Sequence, residues 1–222
     1  MRGPTAKDRS DLESLRRYDT YTLGDAARRA QTGAILGALK PQTQRSRFVG
    51  RALTARLHYQ PHRPIPLAQY GGAQLRDQAR PDDVIVLDAG GLMMSAMGEL
   101  AFAHLVRQGA VGVVLNGCIR DAEQLEALDL PLSVFSLGVA ITTVAGFAQI
   151  VDVGEPIYLQ GVRIERGDLI AGCRGGVLAA PWKDRGAILE QADLIDQSDR
   201  KVREGIARGE AVSKLWTRHK NI

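Results

Sequence analysis

Short apolar runs alternate with amphipathic stretches along this 222-residue chain, and their order predicts a mixed α/β fold. Residues 109–115 are rich in valine between glycines, which is typical of a buried strand. Asn116-Gly117 predicts a turn directly after it, and a helix follows over 122–128. Upstream, apolar residues spaced by threes and fours predict a helix over 95–108. A helix–strand–helix unit therefore occupies the middle of the chain.

The flanking regions give further elements of both kinds. Thr22 is a candidate N-cap for one of the helices, and Gly33 lies just beyond the end of that helix. The predicted helices cover 12–18, 22–31, 68–79 and a charged tail over 182–208, and the predicted strands cover 48–58, 84–88, 132–137, 157–160, 162–164 and 169–171. Because no linker or internal repeat divides the chain, we expect a single domain over 1–222, with N-terminal helices at about 10–35 and a C-terminal helical tail at about 182–222.

Composition narrows the class of protein. The hydrophobic content is 45%, which is ordinary for a globular protein, and no uncharged apolar stretch reaches the length of a membrane span. The N-terminus lacks the apolar run of a secretory signal, so we expect a cytoplasmic protein without a membrane partner. The net charge of +4 raises the question of nucleic acid, but the basic segments also contain acids and carry no recognition motif, so that partner is not expected.

The adjacent pair Arg120-Asp121 is the main candidate for chemistry. It follows the central strand, and loops at the carboxyl ends of strands are where sites collect. A guanidinium can bind a carboxylate or enolate oxygen with two hydrogen bonds, and a carboxylate is a hard oxygen ligand for Mg²⁺. An Arg-Asp pair alone is also typical of a solvated surface. Glu99 lies at the start of the preceding helix, where free amides could hold an anion.

Two segments carry a family resemblance. Gly98-Glu99-Leu100, followed by Gly117-Cys118-Ile119-Arg120-Asp121, resembles the signature of the 4-hydroxy-4-methyl-2-oxoglutarate aldolase and regulator-of-ribonuclease-activity (RraA-like) family. The likeness extends over roughly residues 20–212 and includes 48–54, 83–88, 128–132 and 166–170. It implies a β/β/α sandwich of the swivelling-domain type that assembles as a homotrimer or homohexamer.

The resemblance also implies roles for individual residues. Asp121 is the expected ligand of Mg²⁺ (or Mn²⁺), and Arg120 is expected to bind the keto and carboxylate side of a pyruvate unit. Glu99, where the family often has Asp, is expected to help order metal-bound water. Gly98, Leu100 and Ala101, at the start of the helix, are expected to bind substrate. Asp199 is the candidate for an acid that reaches the site of a neighbouring subunit.

The activity implied is that of a divalent-metal-dependent class II aldolase. It would cleave a 4-hydroxy-2-oxo acid, such as 4-hydroxy-4-methyl-2-oxoglutarate or 4-carboxy-4-hydroxy-2-oxoadipate, to pyruvate and a 2-oxo acid, with oxaloacetate decarboxylation as a side activity. The alternative is a non-catalytic regulator that binds an endoribonuclease. The chain departs from the family at Cys173-Arg174-Gly175-Gly176, where two acids that many members have are absent, and this leaves the substrate open.

Overall fold

The computed structural model describes residues 5–219, and these form two compact units. One comprises the described residues up to Thr32 and from Lys183 onward, and the other comprises Gly33–Trp182. We call them the helical unit and the sheet unit. The predicted mixed α/β fold is confirmed, whereas the prediction of one domain over 1–222 includes residues outside the described part and stays a prediction.

The sheet unit is built on a nine-stranded sheet with a separate two-stranded hairpin, and three short helices connect its strands. Its strands are β1 Ala34–Leu36, β2 Lys40–Pro41, β3 Phe48–Tyr59, β4 Asp83–Met97, β5 Gly112–Ile119, β6 Ser133–Val139, β7 Ala148–Val151, β8 Ile157–Leu159, β9 Val162–Ile164, β10 Leu169–Cys173 and β11 Gly176–Ala180. Its helices are α3 Gly72–Asp77, α4 Glu99–Arg107 and α5 Ala122–Leu128.

Parallel strands make up the middle of this sheet. The order is β1-β11-β10-β3-β4-β5-β6-β2, with β7 also paired to β3, and the pairs β3–β4, β4–β5 and β5–β6 are parallel. Alternate residues of β4 enter two separate cores, with Ile85 and Leu87 in one and Val84 and Val86 in the other. Burial on both faces explains the nearly continuous apolar reading of β4 and β5.

The parallel strands are longer than the sequence predicts. The expected turn at Asn116-Gly117 is wrong, because β5 continues through both residues to Ile119. The Asn116 side chain donates to Asp88 Oδ1 at 2.8 Å, and a Cβ on Gly117 would lie 2.9 Å from Ala89 Cβ. This glycine therefore permits a close approach of two strands rather than a reversal of the chain.

The helix predicted over 95–108 begins later than expected. Strand β4 passes through Gly90 and Gly91, both of which have positive φ, and runs irregularly to Met97, so Ser95 lies in the strand. Helix α4 then begins at Glu99, directly after Gly98. Glu99 is nevertheless in the first turn, as predicted, and α5 has the predicted bounds.

Other differences have local causes. The helix predicted over 68–79 is divided at Gly71, whose φ of 79° is left-handed, into a 3₁₀ turn Leu67–Gln69 and the helix α3. Strands β1, β2, β7 and β11 were not predicted. Residues 173–176, which differ from the pattern of the family that the sequence resembles, form the tight connection between β10 and β11, in which Cys173 pairs with Gly176.

The helical unit contains α1 Ala6–Arg16, α2 Thr20–Arg29, α6 Arg185–Ala207 and α7 Val212–His219. Helix α2 is capped by Asp19, whose side chain accepts from the Thr22 amide at 2.8 Å, so the expected Thr22 cap is wrong. Arg185, at the start of α6, binds Asp11 at 2.7 Å and Asp8 at 3.5 Å. Of the helices described, none has both the length and the apolar character to cross a membrane.

Candidate active site

The candidate site lies where the parallel strands β4 and β5 end beside each other. Their last paired residues are Met97 and Ile119, and the Arg120 amide donates to the Met97 carbonyl at 3.0 Å. The Ala140 amide, just beyond β6, donates to the Ile119 carbonyl at 2.8 Å. Three consecutive parallel strands therefore place their carboxyl ends around the residues singled out by sequence, which is the usual position of sites in α/β sheets.

The carboxylate of Asp121 caps the start of α4. Its Oδ2 accepts a hydrogen bond from the Glu99 amide at 3.1 Å, while Gly98, the residue at the N-cap position, has no side chain with which to do so. The first amides of a helix lack partners within the helix, and a negative charge there interacts favourably with the helix dipole. Asp121 thus connects the end of β5 to the start of α4, the two places where the motif residues lie.

Gly98 allows this approach because it has no Cβ. A Cβ built at this position would lie 2.4 Å from Asp121 Oδ2 and 3.0 Å from Arg120 Cγ. The backbone of Gly98 is extended, with φ −138°, so its conformation does not require glycine. The requirement is steric, and it concerns the two residues that the sequence singles out as candidates for chemistry.

Arg120 and Asp121 contact each other as well as the helix. Arg120 Nε lies 3.4 Å from Asp121 Oδ2, and the two side chains are 48% and 34% exposed, so both are accessible from solvent. Asp121 has a left-handed backbone, φ 62° and ψ 38°, which is uncommon for a residue with a side chain but occurs more often for Asp and Asn. Although Asp121 precedes α5, its side chain does not cap that helix and instead binds the start of α4.

The helix start offers one free amide. Ala101 N donates to Gly98 O at 3.0 Å, whereas Leu100 N makes no hydrogen bond within residues 5–219. Of the two amides expected to receive an oxyanion, Leu100 is therefore the available one in this structure. Glu99 is partly buried beside it, in the first turn.

The other sequence candidates lie elsewhere or have structural contacts. Asp199 is in α6 of the helical unit, where its carbonyl accepts from Arg203 Nε at 3.2 Å, and its role toward a neighbouring subunit stays a prediction. The Asp88 carboxylate, within β4, accepts from the Gly90 amide at 2.9 Å and from the Asn116 side chain at 2.8 Å. Cys118 is fully buried, and burial raises the pKa of its thiol, which favours a packing role.

Sequence reasoning did not find the support behind the site. Ser95 is buried, and its Oγ donates to the Met97 carbonyl at 2.9 Å, the same carbonyl that accepts from Arg120. Tyr70 donates its hydroxyl to the Ala96 carbonyl at 2.6 Å, and burial raises the pKa of this phenol to about 12. No sequence pattern indicates either role, because each side chain binds a backbone carbonyl and not a residue of the motif.

The donor set suits a hard divalent cation that keeps most of its water. Within residues 5–219 no group of three or more His, Cys, Asp and Glu side chains could hold a metal. Mg²⁺ typically takes only one or two protein carboxylates and retains several waters, and the Asp121 carboxylate could serve as one such ligand. Both contacts of the Asp121 carboxylate within the described chain use Oδ2.

Comparison with known proteins matches the chain to one protein family. A family model described as RraA-like, Aldolase/RraA, matches residues 20–179. A protein of Halalkalibacterium halodurans named putative 4-hydroxy-4-methyl-2-oxoglutarate aldolase is 30% identical over 171 residues, which cover 77% of this chain and 76% of that protein. Protein DlpA of Legionella pneumophila is 25% identical over 91% of this chain, and the chain spans about a third (32%) of the length of DlpA.

A solved structure gives the same fold. Streptomyces coelicolor RraAS2, described as an unusual member of the RNase ES inhibitor RraA protein family, superimposes with a TM-score of 0.77 and covers 91% of this chain and 99% of its own. The two sequences are 19% identical, so this likeness concerns the fold alone.

Proposed function

Because the chain belongs to the RraA-like family, we propose that it is a divalent-metal-dependent aldolase that cleaves a 4-hydroxy-2-oxo acid to pyruvate and a second carbonyl compound. The observation that carries this proposal is the meeting of Arg120, Asp121 and the first residues of α4 at the ends of two parallel strands. Together these residues bring a carboxylate, a guanidinium and the N-terminus of a helix to one place that solvent can reach.

We propose that Asp121 would hold Mg²⁺ or Mn²⁺ and that Glu99 would help to order water at the cation. When bound, the cation would act as a Lewis acid on the oxygens of a 2-oxo acid. Asp121 supplies the negative charge that holds it. The hydrogen bond from the Glu99 amide keeps this carboxylate at the helix start, so the ligand is already oriented before a substrate arrives.

The residues of the chain account for binding and charge. Arg120 pairs with the carboxylate or enolate oxygen of the pyruvate unit, and the hydrogen bond from its backbone amide to the Met97 carbonyl holds the backbone of Arg120 in place. The Leu100 amide donates to an oxygen at the helix N-terminus. As the C3–C4 bond breaks, the proton of the C4 hydroxyl passes to a water beside Glu99, and the electron pair develops toward the 2-oxo group, where Arg120 stabilises it.

Oxaloacetate decarboxylation is expected as a side activity because loss of CO₂ leaves the same pyruvate enolate. Exchange of the C3 protons of pyruvate with solvent passes through this enolate as well, and it requires no second substrate. This exchange is therefore the most general assay of the proposed chemistry.

The test compares the wild type with Asp121→Asn. The asparagine oxygen can still accept from the Glu99 amide, so the fold of the site is retained while the negative charge is lost. We expect the wild type with Mg²⁺ to exchange pyruvate C3 protons with D₂O, as followed by proton NMR, and Asp121→Asn to lose most of this activity. Exchange by Asp121→Asn at the wild-type rate would refute the assignment of the ligand, and no exchange by folded wild type with either cation would refute the function.

A second candidate function is regulation by binding an endoribonuclease. It is favoured by the description of the structurally similar Streptomyces coelicolor protein as a member of an RNase inhibitor family. Asp121→Ala separates the two functions, because it is expected to abolish aldolase turnover and to leave a protein interface intact. A homotrimer or homohexamer stays part of the proposal, and light scattering of the purified protein tests it.

A further inference from the structure

Exposed apolar side chains lie on the same strand and helix ends as the candidate site. Leu100, the second residue of α4, is 80% exposed, Val139 at the end of β6 is 49% exposed, and Ile141 just beyond it is 97% exposed. Met93 is 66% exposed, and its Sδ lies 3.8 Å from the sulfur of Cys118, two residues before Arg120. We call these four residues the apolar rim.

Backbone hydrogen bonds tie the rim to the charged centre. Ser95 N donates to Thr142 O at 2.8 Å, and Val144 N donates to Ser95 O at 3.0 Å, so the segment after β6 is held against the end of β4. Leu100 follows Glu99 directly, whose amide binds Asp121. The rim therefore belongs to the same strand ends that hold the ion pair.

These strand ends carry a single cation. Residues 92–101, 118–124 and 138–145 are all described, and Arg120 is the one Lys or Arg among them. The acids in these segments are Glu99, Asp121 and Glu123. Within these three segments, Arg120 is thus the one cationic side chain that a substrate could meet, among apolar side chains and three acids.

A 4-hydroxy-2-oxo acid always has one carboxylate, at C1, and Arg120 can pair with it. A further carboxylate on C4 would have no cation in these segments and would lie near acids and apolar groups, where an unpaired charge is unfavourable. An alkyl group on C4 would instead gain from contact with the rim.

Resting on the proposed function, we infer that the preferred substrate is a monocarboxylate, a 4-hydroxy-2-oxoalkanoate whose C4 substituents are uncharged and aliphatic. The reaction is R–CH(OH)–CH₂–CO–COO⁻ → R–CHO + CH₃–CO–COO⁻. The C3–C4 bond breaks, the C4 hydroxyl loses its proton, and C3 gains a proton when the enolate becomes pyruvate. The second product is an aliphatic aldehyde rather than a 2-oxo acid.

The test uses two substrates that differ only in the group on C4. 4-Hydroxy-2-oxopentanoate carries a methyl group there, and 4-hydroxy-2-oxoglutarate carries a carboxylate. Pyruvate release is followed by NADH-linked reduction with the purified, Mg²⁺-loaded protein. We expect kcat/KM to be at least about tenfold higher for the pentanoate, and to rise up to about fourfold for the hexanoate, which has one more methylene.

A rim variant tests the electrostatic reason for this preference. Ile141→Lys adds a cation at a side chain that is 97% exposed, so the fold should tolerate it. The glutarate is expected to gain several-fold in kcat/KM relative to the pentanoate. Ile141→Gln, of similar length but uncharged, is the matched control and should leave the ratio nearly unchanged.

The outcomes separate the two proposals. If wild type exchanges the C3 protons of pyruvate but cleaves the glutarate more efficiently than the pentanoate, the monocarboxylate inference is wrong while the aldolase proposal stands. If no exchange occurs, the aldolase proposal fails and the inference fails with it. An unchanged ratio in Ile141→Lys would show that the rim does not contact the C4 substituent, and would also overturn the inference.

Discussion

The substitution Gly98→Ala tests whether close contact between the start of α4 and Asp121 organises the site. An alanine Cβ would lie 2.4 Å from Asp121 Oδ2, and ordinary contact begins near 3.4 Å, so the carboxylate must retreat by about 1 Å. The extended backbone at this position suits alanine, so the expected cost arises from this clash alone.

The displacement would weaken the 3.1 Å hydrogen bond from the Glu99 amide and move the proposed metal ligand. A misplacement of about 1 Å at a reacting group costs about 100-fold in rate, and loss of a hydrogen bond to a charged group costs about 1.5–3 kcal/mol. We therefore expect kcat/KM for pyruvate release to fall about 100-fold, the dissociation constant for Mn²⁺ measured by calorimetry to rise, and the free energy of unfolding in urea to fall by about 1–3 kcal/mol.

Gly138→Ala is the matched control. Gly138 lies at the end of the neighbouring strand β6, yet a Cβ there would meet only Cys118 Sγ, at 4.0 Å. This variant is expected to keep its activity and its affinity for Mn²⁺. Wild-type turnover and Mn²⁺ binding in Gly98→Ala would refute the reasoning, because they would show that Asp121 need not occupy its observed position.

Three further predictions concern stability. Tyr70→Phe should lower the free energy of unfolding in urea by about 1–3 kcal/mol, because the Ala96 carbonyl loses its phenol donor. In the helical unit, Gly205→Ala should destabilise by about 1–3 kcal/mol and lower the melting temperature, since the new Cβ would lie 2.3 Å from Leu215 Cδ2. Burial raises the pKa of Asp83 above its usual 3.8, so its ionisation in the folded protein removes stability as pH rises from that value through the folded-state pKa. The free energy of unfolding in urea of Asp83→Asn, minus that of wild type, should therefore be more positive at pH 7 than at pH 3.5. A more positive difference at pH 3.5 would contradict this sign.

The hydrophobic pattern of the sequence predicted the bounds of some elements closely. Helix α5 has its predicted bounds, and β3 is within one residue of the prediction. One error falls where glycine serves packing rather than turning. Gly117 reads as a turn residue beside Asn116, and only the position of Ala89 on the neighbouring strand shows that it admits a close approach.

In the candidate site, too, local placement could be predicted and contacts between distant segments could not. The sequence places Arg120 and Asp121 at a strand end and Glu99 at a helix start, and it does so from local patterns. It could not show that the Asp121 side chain turns away from α5, the helix it precedes, to bind the amide of Glu99. That contact depends on the left-handed backbone of Asp121 and on the register that pairs Met97 with Ile119.

The segment after β6 explains how selectivity could vary in this fold without loss of the charged centre. The residues on either side of Ile141 are fixed by backbone hydrogen bonds, Ala140 N to Ile119 O at 2.8 Å and Ser95 N to Thr142 O at 2.8 Å. The Ile141 side chain itself is 97% exposed, so its replacement removes little packing. Because the backbone at this position is held while the side chain is not, a change of residue here alters the charge beside the substrate and leaves the Met97–Arg120 contact in place. Position 141 is therefore where we expect a change in the preferred C4 substituent to cost the least stability.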